Sequence, residues 1–306
     1  MTSILVIGAF GTIGCPLVRE LRKRKHDVFT ADNRHGADLS HFRCDVSKYR
    51  QVEKLLSNGR FEYVYNLAAE FGRKNGEDYY EQLWETNVIG LKNILRLQEQ
   101  KKFRLIHFSS SEIYGELRTD NGFLKEEYSE ELPLKQNNDY AISKWVNELQ
   151  VRNSMSTKQT ETVIVRLFNA YGPGEYFTPY RSVVSQFIYK ALHDLPYEVY
   201  LKYYRVFMHV DDLIPTLCNI VDRFKSGETY NIGGEEYVEV KRVSDMILSY
   251  LQKDDSLVKY LDVDVHNVVS KRPDITKAKR DLGHKPTIPL SVGIPKTIEW
   301  YKQVYC

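Results

Sequence analysis

The sequence predicts an α/β protein: a doubly wound parallel sheet carrying a smaller mixed α/β lobe. Three observations predict it. Short β-branched runs alternate with amphipathic stretches through the first half of the chain. A glycine-punctuated turn joins the first such pair. The alternation then loosens after Gly172-Pro173-Gly174. Strand–helix alternation is the signature of a parallel sheet covered by helices on both faces.

Taken in order, strands fit residues 4–7, 28–31, 63–67, 104–109 and 162–167, and helices fit 12–23, 51–57, 79–99 and 140–153. The first strand, Ile4-Leu5-Val6-Ile7, runs into Gly8-Ala9-Phe10-Gly11-Thr12-Ile13-Gly14 and a helix. Glycine suits a turn where another backbone or a phosphate comes close. The uncapped N–H groups of the following helix suit a pyrophosphate. Asp32 closes the second strand, 18 residues beyond Gly14. There an acid would meet ribose hydroxyls and repel a 2′-phosphate, which points to NAD. Arg34, two residues on, keeps NADP open. The unit reads as a Rossmann-type, dinucleotide-binding fold over residues 1–171. Residues 172–306 form the substrate lobe, with a return to the sheet near 227–240, where Tyr230-Asn231-Ile232-Gly233-Gly234 resembles a strand ending.

Composition narrows the partners. The chain has 306 residues, and 43 basic against 41 acidic residues leave a net charge of +2. That balance offers no bulk surface for nucleic acid or membrane. The run Arg22-Lys23-Arg24-Lys25 complements a helix C-terminus. Cys15, Cys44, Cys218 and Cys306 lack metal-site spacing and suit reduced thiols of the cytoplasm. Met1 leads directly into the first strand, with no room for a signal peptide, and no apolar run is long enough to span a bilayer.

Ligands of such sheets bind beyond the carboxyl ends of the strands. That rim gathers Asn66-Leu67-Ala68-Ala69-Glu70, Ser109-Ser110-Ser111-Glu112 and Asn169. Tyr140 and Lys144, four apart, share a helix face. A phenol beside an ammonium and a cationic nicotinamide is drawn toward phenolate, making Tyr140 a base for a sugar hydroxyl. Lys144 can also hold the nicotinamide ribose, and Ser110 can bind the same hydroxyl. Tyr237 and Lys241 repeat the spacing without a preceding serine cluster, and read as a surface helix.

These pieces together resemble the extended short-chain dehydrogenase/reductase family, in its NAD-dependent nucleotide-sugar epimerase and dehydratase group. The matching residues are Gly8-x-x-Gly11-x-x-Gly14, Asp32, Cys44-Asp45-Val46, Asn66-Leu67-Ala68-Ala69, Asn87, Ser109 to Gly115 and Tyr140-x-x-x-Lys144. Further on come Arg166-Leu167-Phe168-Asn169-x-Tyr171-Gly172-Pro173, Arg205-x-Phe207-x-His209-Val210-x-Asp212, Tyr230 to Gly233 and Arg272-Pro273-x-Ile275. The resemblance implies that NAD is held by Gly8, Phe10, Gly11, Thr12, Ile13, Gly14, Asp32, Asn33, Asp45, Val46, Leu67, Ala68, Ala69, Asn87, Ser109, Tyr140 and Lys144. It implies Ser110, Tyr140 and Lys144 as the catalytic serine, tyrosine and lysine, with Glu112 beside them. A nucleotide-diphosphate sugar would meet Glu70, Ser110, Ser111, Asn169, Arg181, Arg205 and Arg272, because arginine forks match phosphate oxygens. His209 would be structural and Tyr114 a packing residue.

The implied reaction begins with oxidation of the sugar at C4 to a 4-keto sugar, followed by epimerase- or dehydratase-type conversion. Ser111 stands where 4,6-dehydratases of the group carry the first of two acids. Ser110-Ser111-Glu112 is closer to the Thr-Ser-Glu of UDP-glucuronate decarboxylases, and Arg181-Ser182-Val183-Val184-Ser185 resembles their Arg-Val-Val-Ser stretch. Glu70-Phe71-Gly72-Arg73 departs from that subgroup's Ser-Pro segment, and Glu70 reads either as an acid or base or as the salt-bridge partner of Arg73. A plain C4 dehydrogenase and a non-catalytic NAD-binding sensor are the alternatives, and the intact Ser110, Tyr140 and Lys144 argue against the sensor. The resemblance also implies a homodimer through the helices at 79–99 and 140–153, with Leu83, Val88, Leu91 and Trp145 as exposed packing positions.

Overall fold

A computed structural model describes residues 1–264 and 267–306. Strands β1 (Ser3–Ile7), β2 (Asp27–Asp32), β3 (His41–Arg43), β4 (Tyr63–Asn66), β5 (Arg104–Ser110) and β6 (Thr162–Leu167) join a seventh, Thr229–Ile232, in one sheet. Every pairing is parallel, and the spatial order is Thr229–Ile232, β6, β5, β4, β1, β2, β3. The chain does return to the sheet from the second half, pairing Tyr230 with Val165. The short edge strand β3 is absent from the sequence reading, because three half-exposed residues carry no hydrophobic period.

Two apolar layers sandwich the sheet. On one face Ile4, Val6, Ile106 and Val165 meet Leu17 and Leu21 of helix α1 (Gly14–Lys23) and Leu213 and Leu217 of the helix Val210–Asp222. On the other, Leu5, Val64 and Leu105 meet Leu55 of helix α2 (Tyr49–Asn58), Ile94 and Leu95 of Gly90–Lys101, and Val151 of the long helix Asp139–Lys158. A third cluster, from Phe187, Tyr197, Val243, Ile294 and Tyr301, forms the core of the smaller lobe.

The helix expected at 79–99 differs from its reading. It is broken into Arg73–Asp78, Tyr80–Trp84, a π-helical turn Glu85–Ile89 and Gly90–Lys101. The wide turn directs Asn87 inward, where its amide donates to the Glu70 carbonyl and to Ser143 Oγ and its Oδ1 accepts from the Glu70 N–H. Leu83 and Leu91 are buried against the body of the protein rather than exposed. The outward apolar residues here are Tyr79, Tyr80 and Ile89, with Ile142 and Leu149 on the neighbouring helix. Tyr237 lies in a short strand, Tyr237–Glu239, paired with Tyr204–Val206, and not in a helix. All four cysteines are free. No helix among the described residues is long and apolar enough to cross a membrane.

Candidate active site

A cleft of about 1440 Å³ runs along the carboxyl ends of β1, β2, β4, β5 and β6 and continues under the smaller lobe. Its first half is a glycine cradle. Gly8 has φ +81°, and a Cβ there would stand 2.8 Å from the Ala68 nitrogen. A Cβ on Gly14 would stand 2.2 Å from the Gly8 carbonyl oxygen. No side chain caps α1; its Cys15 and Leu17 N–H groups are taken by the Gly11 and Ile13 carbonyls and Pro16 has none, so the N–H groups of the turn at Thr12 and Ile13 are left for a ligand among the described residues. Gly11, Thr12, Ile13, Asp32, Asn33, Asp45, Val46, Leu67, Ala68, Ala69 and Ser109 line the same half. A dinucleotide pyrophosphate fits this turn, whose tight approach of α1 and of the segment after β4 a side chain at Gly8 or Gly14 would break.

Two expected cofactor residues stand back from the cleft. Phe10 stacks on His41, with ring centroids 4.6 Å apart, and only its N–H turns inward, to Asp32 Oδ2 at 3.0 Å. Asn87 does not line the cleft but fixes the Glu70 backbone, as above. Ser109 faces two ways: it lines the cleft, yet its hydroxyl donates to Glu148 Oε1 at 2.6 Å. Asp45 Oδ1 is held by Ser47, whose N–H and hydroxyl both donate to it.

The reacting groups meet where β5 ends. Asn138 caps the long helix through Ala141 N, so Tyr140 and Lys144 emerge in its first two turns beside Ser110. Burial pushes the Tyr140 phenol up, and Glu112 pushes it further; a hydrogen bond from Ser110 pulls it down. Lys144 stands beside the phenol rather than bonded to it. Its ammonium donates to the Phe108 carbonyl at 3.0 Å and lies 5.8 Å from the Tyr140 ring centre. Burial brings that ammonium down to about 8.

Behind them lies a buried charge cluster. Arg166 forks onto both oxygens of Glu148 at 2.9 and 2.7 Å and also donates to Tyr114 Oη at 2.7 Å. Tyr114 is thus part of a polar network rather than simple packing. Glu148 sits one turn beyond Lys144, so the network ties the catalytic helix to both β5 and β6.

The sugar half of the cleft holds the largest surprise. Glu112 forms an ion pair with Lys271, a residue only 1% exposed that the sequence reading passed over. Burial pushes the Glu112 carboxyl up, but Lys271, then Arg205 and Arg73, more than offset this and hold it below its ordinary value. Burial lowers the Lys271 ammonium to about 8, against the pull of Glu112. The only sequence signal was position: Lys271 adjoins Arg272-Pro273. Arg272 itself points elsewhere, its guanidinium 4.2 Å from the Phe123 ring centre and outside the cleft. Lys271 ends the short strand Ser270–Lys271 that pairs with Tyr204–Val206, and the next residue along an extended chain faces the other way. Arg205 lines the cleft while donating to the Val269 carbonyl at 3.1 Å and Asn267 Oδ1 at 2.7 Å. Arg181, Ser111 and Asn169 also line it, and Asn169 is held by the Val206 carbonyl. Glu70 lines the rim, but Arg73 is not its partner: its oxygens accept from Asn75 and Gln82, while Arg73 pairs with Asp264 at 3.0 Å. His209 is structural, capping the helix Val210–Asp222 by accepting from Asp211 N.

A family model described as the NAD-dependent epimerase/dehydratase family matches residues 4–233. The chain belongs to that family. NAD is its cofactor, and its relatives are enzymes of nucleotide sugars. It is 29% identical to UDP-N-acetyl-alpha-D-glucosaminuronate decarboxylase of Bacillus cytotoxicus, over 98% of each chain. It is 27% identical to dTDP-glucose 4,6-dehydratase of Neisseria meningitidis, over 98% of this chain and 93% of the relative. Among solved structures it is similar to UDP-glucuronic acid 4-epimerase of Bacillus cereus, determined with UDP-glucuronic acid and NAD. That pair has a TM-score of 0.88 and 25% identity, covering 99% of this chain and 100% of the other.

Proposed function

We propose that the enzyme oxidises a nucleotide-diphosphate sugar at C4, that this sugar is a uronate, and that its C6 carboxylate is then lost. The observation carrying the proposal is the charge at the sugar end. Lys271, Arg205 and Arg73 surround Glu112, and Arg73 also faces Asp264. Three cations against two carboxylates leave one positive charge for an anionic substrate. NAD supplies the hydride acceptor and, later, the hydride donor. Tyr140 takes the C4 hydroxyl proton and returns it at the end, and Ser110 orients that hydroxyl. The C4 ketone makes the C5–C6 bond labile, because its electron pair passes into an enolate as CO₂ leaves. C5 then needs one proton. Glu112, which lines the cleft, passes that proton on from the Lys271 ammonium, and solvent reprotonates Lys271. Ser111 carries no acid to expel a hydroxyl as water, which sets the dehydratase chemistry aside.

The decarboxylase named among the relatives supports this reading. Arg205 is then the cation left for the uronate carboxylate, and Arg181 is assigned to the diphosphate. The outward face of Tyr79, Tyr80, Ile89, Ile142 and Leu149 supports a homodimer, and four free thiols suit a cytoplasmic enzyme. The test is a panel of nucleotide-diphosphate uronates and neutral hexoses, with CO₂ release and product mass as readouts. CO₂ from a uronate is expected. A uronate returned as its C4 epimer without CO₂ would replace decarboxylation by epimerisation, and turnover of neutral sugars alone would overturn the uronate.

A further inference from the structure

The adenosine end of the cleft carries an arginine whose placement changes the meaning of Asp32. Asp32 accepts three N–H bonds: Phe10 N on Oδ2 at 3.0 Å, and Arg34 N and Nε on Oδ1 at 3.2 and 3.1 Å. A carboxylate has about four acceptor positions, so room is left for a ribose hydroxyl. Its charge, however, already faces a guanidinium. Arg34 is fixed as well as paired. Its guanidinium carbon lies 5.5 Å from the Phe10 ring centre, and its carbonyl accepts from His41 Nε2. His41 in turn stacks on Phe10 and bonds Thr30 through Nδ1. A Cβ on Gly36 would stand 2.7 Å from both rings, so the loop closes tightly over this stack. Arg34 lines the cleft with its side chain 57% exposed, and the terminal nitrogens have no protein hydrogen bond among the described residues. Arg43, outside the cleft lining, holds the loop by donating through Nε to the Asn33 carbonyl at 3.1 Å.

We propose that this corner is a phosphate site, through which the enzyme takes NADP as well as NAD. A lone acid at the end of the second strand rejects a 2′-phosphate by repulsion, whereas an arginine beside it accepts one. Here both are present, the acid is neutralised by the arginine, and the arginine keeps a free planar fork that matches phosphate oxygens. The inference rests on the nicotinamide dinucleotide of the family, and is independent of which sugar is converted.

The test is calorimetric titration of the full chain, freed of copurified nucleotide, with NAD and with NADP. NADP is expected to bind within about tenfold of NAD. In Arg34→Leu, NADP binding is expected to weaken at least fivefold more than NAD binding, with NAD serving as the check that the variant folds. If that variant does not fold, adenosine 2′,5′-bisphosphate and 5′-AMP are compared on the parent chain, and the bisphosphate is expected to bind at least as tightly. NADP more than tenfold weaker than NAD, an equal loss of both cofactors in Arg34→Leu, or a weaker bisphosphate would each overturn the site. Loss of NAD binding in the parent itself would instead contradict the cofactor assignment.

Discussion

At the scale of single residues, the chemistry concentrates on two side chains with opposite needs. Tyr140 must give up a proton that burial holds on it, and Glu112 must stay charged in a place that burial disfavours. Tyr140→Phe is expected to keep NAD and sugar-nucleotide binding in calorimetry while turnover falls by at least ~10²-fold, the low end for acid–base catalysis. Near-normal turnover would mean that another group is the base. Glu112→Gln is expected to form NADH in a single turnover and then stall before product. Lys271 works through Glu112, so its removal has a signed pH effect. The native carboxyl lies below its ordinary value because of the ammonium. Without it, only Arg205 and Arg73 are left to oppose burial and the carboxyl rises, so the carboxylate is lost at higher pH. In Lys271→Met the acid limb of the kcat/KM profile is therefore expected to move toward neutrality. An unmoved limb would detach Lys271 from the reaction.

At the scale of elements, two devices hold the site in shape. The first is the close approach of α1 to the turn after β1. Gly14→Ala would drive a methyl into the Gly8 carbonyl, so NAD binding is expected to weaken by at least about tenfold, or 1.4 kcal/mol. The second is the fully buried Arg166–Glu148 pair, which links the helix of Tyr140 and Lys144 to β5 and β6. Removing one partner strands a buried charge, so Glu148→Ala is expected to lose about 3–5 kcal/mol in urea unfolding. A loss below 1 kcal/mol would show that the network is not what fixes the helix. Glu148 was silent in the sequence because a glutamate four residues beyond a lysine reads as an ordinary exposed helix pair. The buried strands were legible for the opposite reason: β1, β4 and β6 are short, nearly continuous apolar runs bounded by turn residues.

At the scale of the whole molecule, the rim of the sheet did what the strand order required. Gly8, Asp32, Ser110 and Asn169 were far apart in sequence, yet each ends or follows a strand and so converged on one cleft. Side-chain direction was not legible in the same way. Lys271 and Arg272 differ by one residue and neither lines the cleft, yet Lys271 turns to Glu112 behind its wall while Arg272 turns to Phe123. The same limit applies to the dimer face, where periodicity could not tell Leu83 from Ile89, because a π-helical turn shifts the register between them. Light scattering at micromolar concentration is expected to give a dimer, and Ile89→Glu with Leu149→Glu to give a monomer. A parent chain that is already monomeric would reject that face.

The central claim is C4 oxidation of an acidic nucleotide sugar followed by loss of its carboxylate. It is tested most directly by single-turnover mixing of the NAD-loaded enzyme with a nucleotide-diphosphate uronate labelled at C6. NADH absorbance and labelled CO₂ would be followed together in the parent and in Glu112→Gln. The account predicts a transient NADH signal and stoichiometric CO₂ in the parent, and NADH that persists in the variant. NADH that rises and falls in the parent with no labelled CO₂, or no NADH with any uronate, would contradict it.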